Sequence, residues 1–368
     1  MANVIQETEI TLVNLAPNSC DEIVSFLDPL DLDNFFINKF HQINQQGDIE
    51  SLKMITENAV ERSNRLILNK YTAMAVNRDL GFLSSSLERH GISITKIEKL
   101  EAELIRLSHY TSEVPRDNVN SYASRNPRGV RQRSYTNLEE ERIFIESVNE
   151  AMKCLSNVVD NLLILKVIPV DSKGYVNVIN NAINHFYTMI NSIVNVRKAI
   201  SPQCFSFELR PYFPPIKVAE KIYYGPGGAQ MIMILIDFLL YGSSLKNDEY
   251  KDFVEENKIY LPLEYRNIIK DNENTPSIID LVKLHLETGK IRNNEAIQVI
   301  LGIEKLINKI LTFRRPHTQL AKDNMKIRPQ KSVGSGGYEA DILDVLLNIT
   351  TEQKNELKLL KQQIEECR

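Results

Sequence analysis

The stretch Leu311-Thr-Phe-Arg-Arg-Pro-His-Thr-Gln-Leu320 ends a long segment whose apolar residues recur at helical spacing. Upstream of it, apolar residues recur every three or four positions. This spacing places them in a stripe on one face of a helix, and an apolar face of this kind packs against a core. The members of this stripe are Ala296, Ile300, Ile303, Ile307 and Ile310. The same spacing continues to Arg314, His317 and Ala321. The sequence therefore predicts a buried helix face on which a cation and an imidazole lie one turn apart and point inward.

Two interpretations of Arg314 and His317 stay open on this helix alone. A buried guanidinium needs an anionic partner, because an unpaired charge removed from water is strongly unfavourable. In the first interpretation that partner is an Asp or Glu of the protein, and His317 is a core histidine with satisfied hydrogen bonds. In the second, the imidazole binds a metal and the guanidinium binds a carboxylate of that metal's own cofactor. Haem offers this combination through its iron and its propionates.

The composition is that of a globular protein and excludes several classes of partner. The chain has 368 residues and a formal net charge of -4, so it carries no electrostatic footprint for nucleic acid or an anionic membrane. The most apolar stretch, Met231 to Leu240, is about half as long as a bilayer crossing and contains Asp237. The N-terminus lacks a basic region followed by an apolar run, and the cysteines show no C-x-x-C spacing. Because the sequence has neither a signal-peptide pattern nor paired cysteines, we expect a cytoplasmic protein with reduced thiols.

Helical periodicity runs from Ile49 almost to the C-terminus, whereas alternating strand patterns are scarce. The predicted helices span about 49–69, 71–89, 95–111, 137–165, 175–200, 229–241, 247–257, 262–270 and 277–288, then the His317 helix and 340 to the end. Thr136 and Glu139 have the spacing of a capping box, and Pro316 should interrupt and kink its helix. These patterns predict an all-α chain.

The connector from Val114 to Ser134 lacks apolar periodicity. It carries a cluster of basic residues, namely Arg125, Arg128, Arg131 and Arg133. A cluster of this kind could bind a polyanion, but a solvated surface loop is the expected state because Pro, Gly, Asn and Ser are interspersed among the arginines.

Three further segments are candidates for binding a ligand, and each has a plain structural alternative. Arg210 lies among aromatic and Pro residues in 205–213, which suits bidentate binding of a carboxylate or pairing with a nearby acid. Gly334-Ser335-Gly336-Gly337 precedes a helix and could direct its amides and hydroxyl at an anion, or could be a turn. Gly225-Pro-Gly-Gly228 precedes an apolar helix and could bring backbone close to a flat ligand, or could be a turn. The other histidines show no metal-ligand spacing.

Taken in order, these landmarks resemble the indoleamine and tryptophan 2,3-dioxygenase superfamily of haem proteins. Within it the chain resembles the monodechloroaminopyrrolnitrin synthase family, enzymes of pyrrolnitrin biosynthesis. The similar blocks are spread over most of the chain and occur in the same order. They are Asn77–Phe82 with Leu87–Gly91, Arg133–Thr136, Ile200–Gln203 with Glu208–Phe213, Tyr224–Gly227, Tyr260–Pro262, Arg314–His317 and Gly334–Tyr338.

The resemblance implies an all-helical, indoleamine 2,3-dioxygenase-like fold with two parts. Residues 1–134 would form a smaller N-terminal helical region that covers the distal side, and residues 135–368 would form a larger domain that binds haem b. His317 would be the proximal iron ligand, while Arg314 and Gly227 would contact the cofactor. The carboxylate and ammonium groups of an aromatic amino acid would be bound by Arg210, Ser335, Gly336 and Gly337. The resemblance assigns no catalytic side chain.

The implied function is a haem-dependent oxygenase-type enzyme of secondary metabolism. Its substrate would be tryptophan, a halogenated tryptophan or a related aromatic amino acid, with dioxygen or peroxide as co-substrate and an external reductase as a further candidate partner. The alternative is a non-catalytic protein, either a haem sensor or a helical scaffold whose final helix, Asp341 to Glu366, pairs with another helix. Turnover of an aromatic amino acid separates these classes.

Overall fold

A computed structural model describes residues 17–327, 337–338 and 341–366. Over these residues the chain is helical apart from one short two-stranded sheet, so the predicted all-α, indoleamine 2,3-dioxygenase-like fold is confirmed. The chain divides into two compact units. The first contains residues 1–137 together with 216–223, and the second contains residues 138–215 and 224–368. No helix in the described ranges is both long and apolar enough to span a membrane.

The first unit consists of short helices around one buried helix, followed by a hairpin inserted from later in the chain. Its helices are α1 (Pro17–Phe26), α2 (Asp33–Asn38), α3 (Phe40–Gln46), α4 (Ile49–Asn64), α5 (Lys70–Arg89) and α6 (Leu100–Thr111), and its strands are β1 (Ile216–Val218) and β2 (Lys221–Tyr223). The side chains of Asp48 and Asn69 cap α4 and α5 by accepting hydrogen bonds from backbone amides. Every residue of α5 from Ala73 to Leu87 is buried, so this helix forms the centre of the unit.

Much of the basic connector is buried, so the expectation of a solvated loop is wrong for Arg125 and Arg133, whereas Arg128 is exposed and Arg131 is partly exposed. Arg116, Arg125 and Arg133 are almost fully inaccessible. Each has an acidic partner: Asp117, Glu113 and Asp79, respectively. Burial alone would raise the pKa of the Asp79 carboxyl. The positive charges of Arg133 and Arg78 have the larger combined effect, so the pKa lies below its usual value. The cations are therefore buried as ion pairs.

Close packing of α5 against the connector requires a glycine at position 81. A Cβ at Gly81 would lie 2.7 Å from the Cβ and 3.0 Å from the backbone nitrogen of Asp117. We expect Gly81→Ala to destabilise the protein, since overpacking costs about 1–3 kcal/mol and the better helix propensity of Ala offsets about 1 kcal/mol at most. Urea denaturation measures the difference. Gly174→Ala is the control, because nothing lies within 4 Å of the added methyl group; equal losses in both variants would contradict the packing explanation.

The described part of the second unit contains four long helices and four of 8–11 residues, besides single turns such as Pro202–Cys204. The eight helices are α7 (Glu139–Val167), α8 (Tyr175–Ala199), α9 (Met233–Leu240), α10 (Asp248–Lys258), α11 (Leu263–Asn272), α12 (Ile278–Glu287), α13 (Asn293–Ile327) and α14 (Asp341–Glu366). Helix α8 packs against both α7 and α13, and α13 packs against α14. The buried residues of α14 include Leu346, Ile349 and Leu357. Its apolar face is therefore used inside its own unit, as expected for a core helix rather than a scaffold surface.

Two local predictions in this unit are wrong. Helix α7 begins at Glu139 with Leu138 at the N-cap and no side-chain cap, so Thr136 forms no capping box there; Glu139, Glu140 and Glu141 instead favour the helix N-terminus electrostatically. Helix α13 continues through Pro316 without ending, so the predicted interruption is wrong, while the kink expected at this proline stays a prediction. Buried residues on both sides of this proline, Arg314 and Thr318, stabilise the helix through tertiary packing, which overrides local propensity.

Candidate functional site

The predicted stripe on α13 faces the core, as its spacing indicates. Ala296, Ile300, Ile303, Ile307 and Ile310 are all fully buried. One turn further along the same face Arg314 is buried, and after it His317 is half-buried. The prediction that both polar side chains continue the inward face is confirmed, and their partners decide between the two interpretations of this helix.

Arg314 has internal partners in the structure. Its guanidinium forms an ion pair with Asp237 of α9 and donates hydrogen bonds to Tyr241 Oη at 3.0 Å and to the Thr350 hydroxyl. Tyr241 in turn donates to Asp237 Oδ1 at 2.7 Å. Burial lowers the pKa of Arg314, but the Asp237 charge outweighs it, so the net shift is upward and the side chain stays cationic. This arrangement corresponds to the first interpretation, in which a carboxylate of the protein neutralises the arginine.

His317 differs from an ordinary core histidine. Its ring stacks on Phe313 with centroids 5.3 Å apart and planes 18° apart. No described residue forms a hydrogen bond with either ring nitrogen. Desolvation, with a second contribution from the Arg314 charge, lowers the pKa of His317 to about 4. The imidazole is therefore neutral at physiological pH and retains a lone pair for a metal, which is the protonation state that a metal ligand needs.

The Gly225–Gly228 loop lies beside this imidazole. A Cβ at Gly228 would be 3.4 Å from His317 Nε2 and 3.6 Å from Cε1, which is ordinary van der Waals contact, so a methyl group here would occupy the space beside this edge of the ring. Gly227, the loop glycine expected to contact the cofactor, has an extended backbone, and its neighbour Gly228 lies beside the His317 ring. The Gln230 side chain supports the loop by donating to Tyr224 O at 3.2 Å and Gly225 O at 2.8 Å.

Arg210 lies in a 3-10 turn that is attached to α13. The preceding Ser206 donates a hydrogen bond to Asn324 O at 3.2 Å, and Leu209 is in an apolar cluster that also contains Leu320. Arg210 itself is half-buried, and the aromatic surroundings expected from sequence include the buried Tyr212 and Phe213. The α13 segment just after His317 therefore anchors the turn that carries Arg210.

The glycine-rich segment before α14 is described only at its end. Ser335 and Gly336 lie outside the described residues. Gly337 has a φ of +87°, and a Cβ there would lie 2.4 Å from the ring of Tyr224, so this position needs glycine for both conformation and space. Tyr224 directly precedes the Gly225–Gly228 loop, and its amide donates to Tyr260 Oη at 2.8 Å.

These contacts link several of the sequence landmarks within one unit. Gly337 contacts Tyr224, and Tyr224 leads into the loop whose last residue faces His317. Sequence reasoning missed Asp237, Tyr224 and Gln230 as parts of this region. A signal was present for Asp237, because a single carboxylate in an otherwise apolar helix requires a buried partner. Tyr224 and Gln230 act through ring packing and main-chain contacts, for which the sequence pattern offers no comparable signal.

The described side chains fit a haem group through His317 but less well through Arg314. The half-buried, neutral His317 imidazole has no hydrogen-bond partner among the described residues and would offer a haem iron a nitrogen ligand. Arg314, in contrast, already neutralises Asp237. The haem-contact role of Arg314 and Gly227 stays a prediction.

Comparison with protein families gives a match over almost the entire chain. The family model described as monodechloroaminopyrrolnitrin synthase PrnB matches residues 31–367, which confirms the resemblance stated from the sequence landmarks. Membership implies a haem-dependent enzyme of pyrrolnitrin biosynthesis. The match includes both units and every landmark from Asn77 to Tyr338. The chain belongs to the monodechloroaminopyrrolnitrin synthase (PrnB) family.

Proposed function

We propose that the protein is a haem-dependent oxygenase-type enzyme acting on tryptophan, a halogenated tryptophan or a related aromatic amino acid. Haem b would be the cofactor, with His317 as its axial ligand and dioxygen or peroxide as co-substrate. The observation that carries the proposal is the neutral, half-buried His317 imidazole, which has no hydrogen-bond partner among the described residues and adjoins Gly228. Family membership supports the same chemistry.

The chain's own residues would bind, orient and shield the substrate. A bound haem would supply the oxygen chemistry. The Phe313 ring, which stacks on the imidazole, would help to exclude water from His317, and Arg314 would help to hold the imidazole neutral. Fixing an aromatic ring in one orientation lowers the barrier by replacing a random encounter with a defined geometry.

Arg210 is proposed to bind the substrate carboxylate, together with Ser335 and the amides near Gly336 and Gly337. A hydrogen bond to a charged group contributes about 1.5–3 kcal/mol. We therefore expect Arg210→Ala to weaken tryptophan binding roughly 10- to 150-fold, while the haem content is unchanged. The measurement is a titration of the haem absorption spectrum with tryptophan. Arg315→Ala is the control, since Arg315 is exposed on the outer face of α13.

Two outcomes would reject the carboxylate assignment. One is an Arg210→Ala protein that responds to tryptophan like wild type. The other is an Arg315→Ala protein that loses as much affinity as Arg210→Ala, since the effect would then reflect general loss of positive charge. Ser335→Ala extends the test to the glycine-rich segment and should also weaken the response without changing haem content.

The substrate and reaction can be identified in one experiment. Ferrous protein is titrated with tryptophan and ring-substituted analogues in the presence of oxygen, and product masses are then measured. Oxygen-dependent conversion supports an enzyme, and the mass change separates ring cleavage, rearrangement and hydroxylation. A protein that binds haem but converts none of these compounds would instead favour the haem-sensor alternative. Repeating the reaction with and without a chemical reductant tests whether an external reductase is needed.

A further inference from the structure

Gln230 is a fully buried carboxamide behind the Gly225–Gly228 loop. Its side-chain nitrogen donates to two successive carbonyls, Tyr224 O and Gly225 O, at 3.2 and 2.8 Å. Its backbone nitrogen donates to Gly227 O at 3.1 Å. Gln230 thus binds the loop at three carbonyl groups, and its side chain has no access to solvent.

The loop needs such support because three of its four residues are glycine. Glycine has the widest conformational freedom of any residue, so a glycine-rich loop has little stiffness of its own. The loop also offers almost no side chains through which neighbouring residues could hold it. Its conformation must therefore be set through its backbone. Hydrogen bonds to that backbone come from Gln230, from the Met231 amide, which donates to Gly228 O at 3.2 Å, and, at the entrance, from Tyr260.

The position of this loop matters because of what lies on its other side. Gly228 adjoins His317 Nε2, so a shift of the loop by about the length of one C–C bond would narrow or widen the space in front of the imidazole. We propose that Gln230 is a positioning residue for the His317 site: by binding the Tyr224 and Gly225 carbonyls it keeps Gly228 clear of the approach to Nε2. The proposal rests on the proposed function insofar as the group that approaches is haem.

The test replaces the amide donor without changing the shape of the side chain. Gln230→Glu keeps the size but presents a carboxylate to two carbonyl oxygens when ionised, and Gln230→Met removes the polar group. Asn126→Asp is the matched control, because the buried Asn126 amide also donates to two carbonyls, Tyr122 O at 2.9 Å and Arg133 O at 2.7 Å. Asn126 lies in the first unit and far from His317 in sequence.

The first readout needs no haem. Amide hydrogen exchange of residues 224–230 in the haem-free protein should accelerate about tenfold or more in both Gln230 variants, since local opening becomes easier when a loop loses its hydrogen bonds. Asn126→Asp should leave this segment unchanged. Exchange in residues 224–230 that matches wild type in both Gln230 variants would overturn the proposal, whatever the protein binds.

The second readout connects the loop with the site. Hemin titration should show an affinity about tenfold lower in the Gln230 variants, the size of effect typical of residues that orient a metal ligand. Asn126→Asp, destabilised to a similar degree in urea, should bind hemin like wild type. If the Gln230 and Asn126 variants lose hemin affinity equally, the effect of Gln230 is one of general stability and the proposal is overturned. Wild-type protein that binds no hemin would end the proposed function, while the exchange result still decides whether Gln230 fixes the loop.

Discussion

His317→Ala is expected to abolish normal haem binding while leaving the fold intact. Loss of residues that merely orient a metal ligand lowers affinity roughly 10- to 100-fold, so removal of the ligand itself should cost about a hundredfold or more. The side chain contributes little to the fold, because its only described ring contact is the stack on Phe313. The measurement is a hemin titration followed through the Soret band, with circular dichroism to verify the helical content.

Two comparisons make the His317 result specific. Exogenous imidazole should restore a Soret band to His317→Ala, because it can supply the missing nitrogen in the vacated space. His285→Ala is the control, since His285 is another half-buried helical histidine, and its Nδ1 contacts Leu281 O at 2.7 Å. The axial assignment is wrong if His317→Ala binds hemin with the affinity and spectrum of wild type.

Helical periodicity predicted most of the second unit because its long helices bury one apolar stripe each. The buried residues of α13 follow the spacing read from the sequence, and its polar continuation to Arg314 and His317 was visible in the same pattern. The two errors have local causes. A capping box is a preference of a few residues, and Leu138 begins α7 without it. Pro316 lacks the amide hydrogen that would donate one helical hydrogen bond. The burial of the neighbouring side chains stabilises the helix by more than this loss.

The first unit was predicted less well because its connector is held by long-range ion pairs. Arg133 pairs with Asp79 and Arg125 with Asp21, residues 54 and 104 positions away. A basic residue among Asn, Ser and Gly has the same local signature on a surface or in a core, so only the fold reveals which acids neutralise it. The same limit applied to Arg314, whose partner Asp237 lies 77 positions earlier.

Removal of one member of the Arg314–Asp237 pair is expected to destabilise the second unit strongly. Loss of one partner from a buried pair costs about 3–5 kcal/mol, because the remaining charge is left without compensation in the protein interior. Asp237→Leu and Arg314→Met should therefore each lower the free energy of unfolding by about that amount in urea. Lys283→Ala is the control, since Lys283 and its partner Glu356 are partly exposed and such pairs contribute about 0–1 kcal/mol.

The double variant Asp237→Leu/Arg314→Met distinguishes a structural Arg314 from one that also binds a haem propionate. Apolar side chains can replace a buried ion pair with little loss of stability, so the double variant should be more stable than the sum of the single losses predicts. If Arg314 serves only the ion pair, hemin affinity recovers together with stability. If Arg314 also contacts a propionate, stability recovers and hemin affinity does not. Asp237, Tyr241 and Thr350 already accept hydrogen bonds from this guanidinium, so the described contacts alone predict recovery of both. A stable double variant with weak hemin binding would support the cofactor role that the sequence resemblance implies.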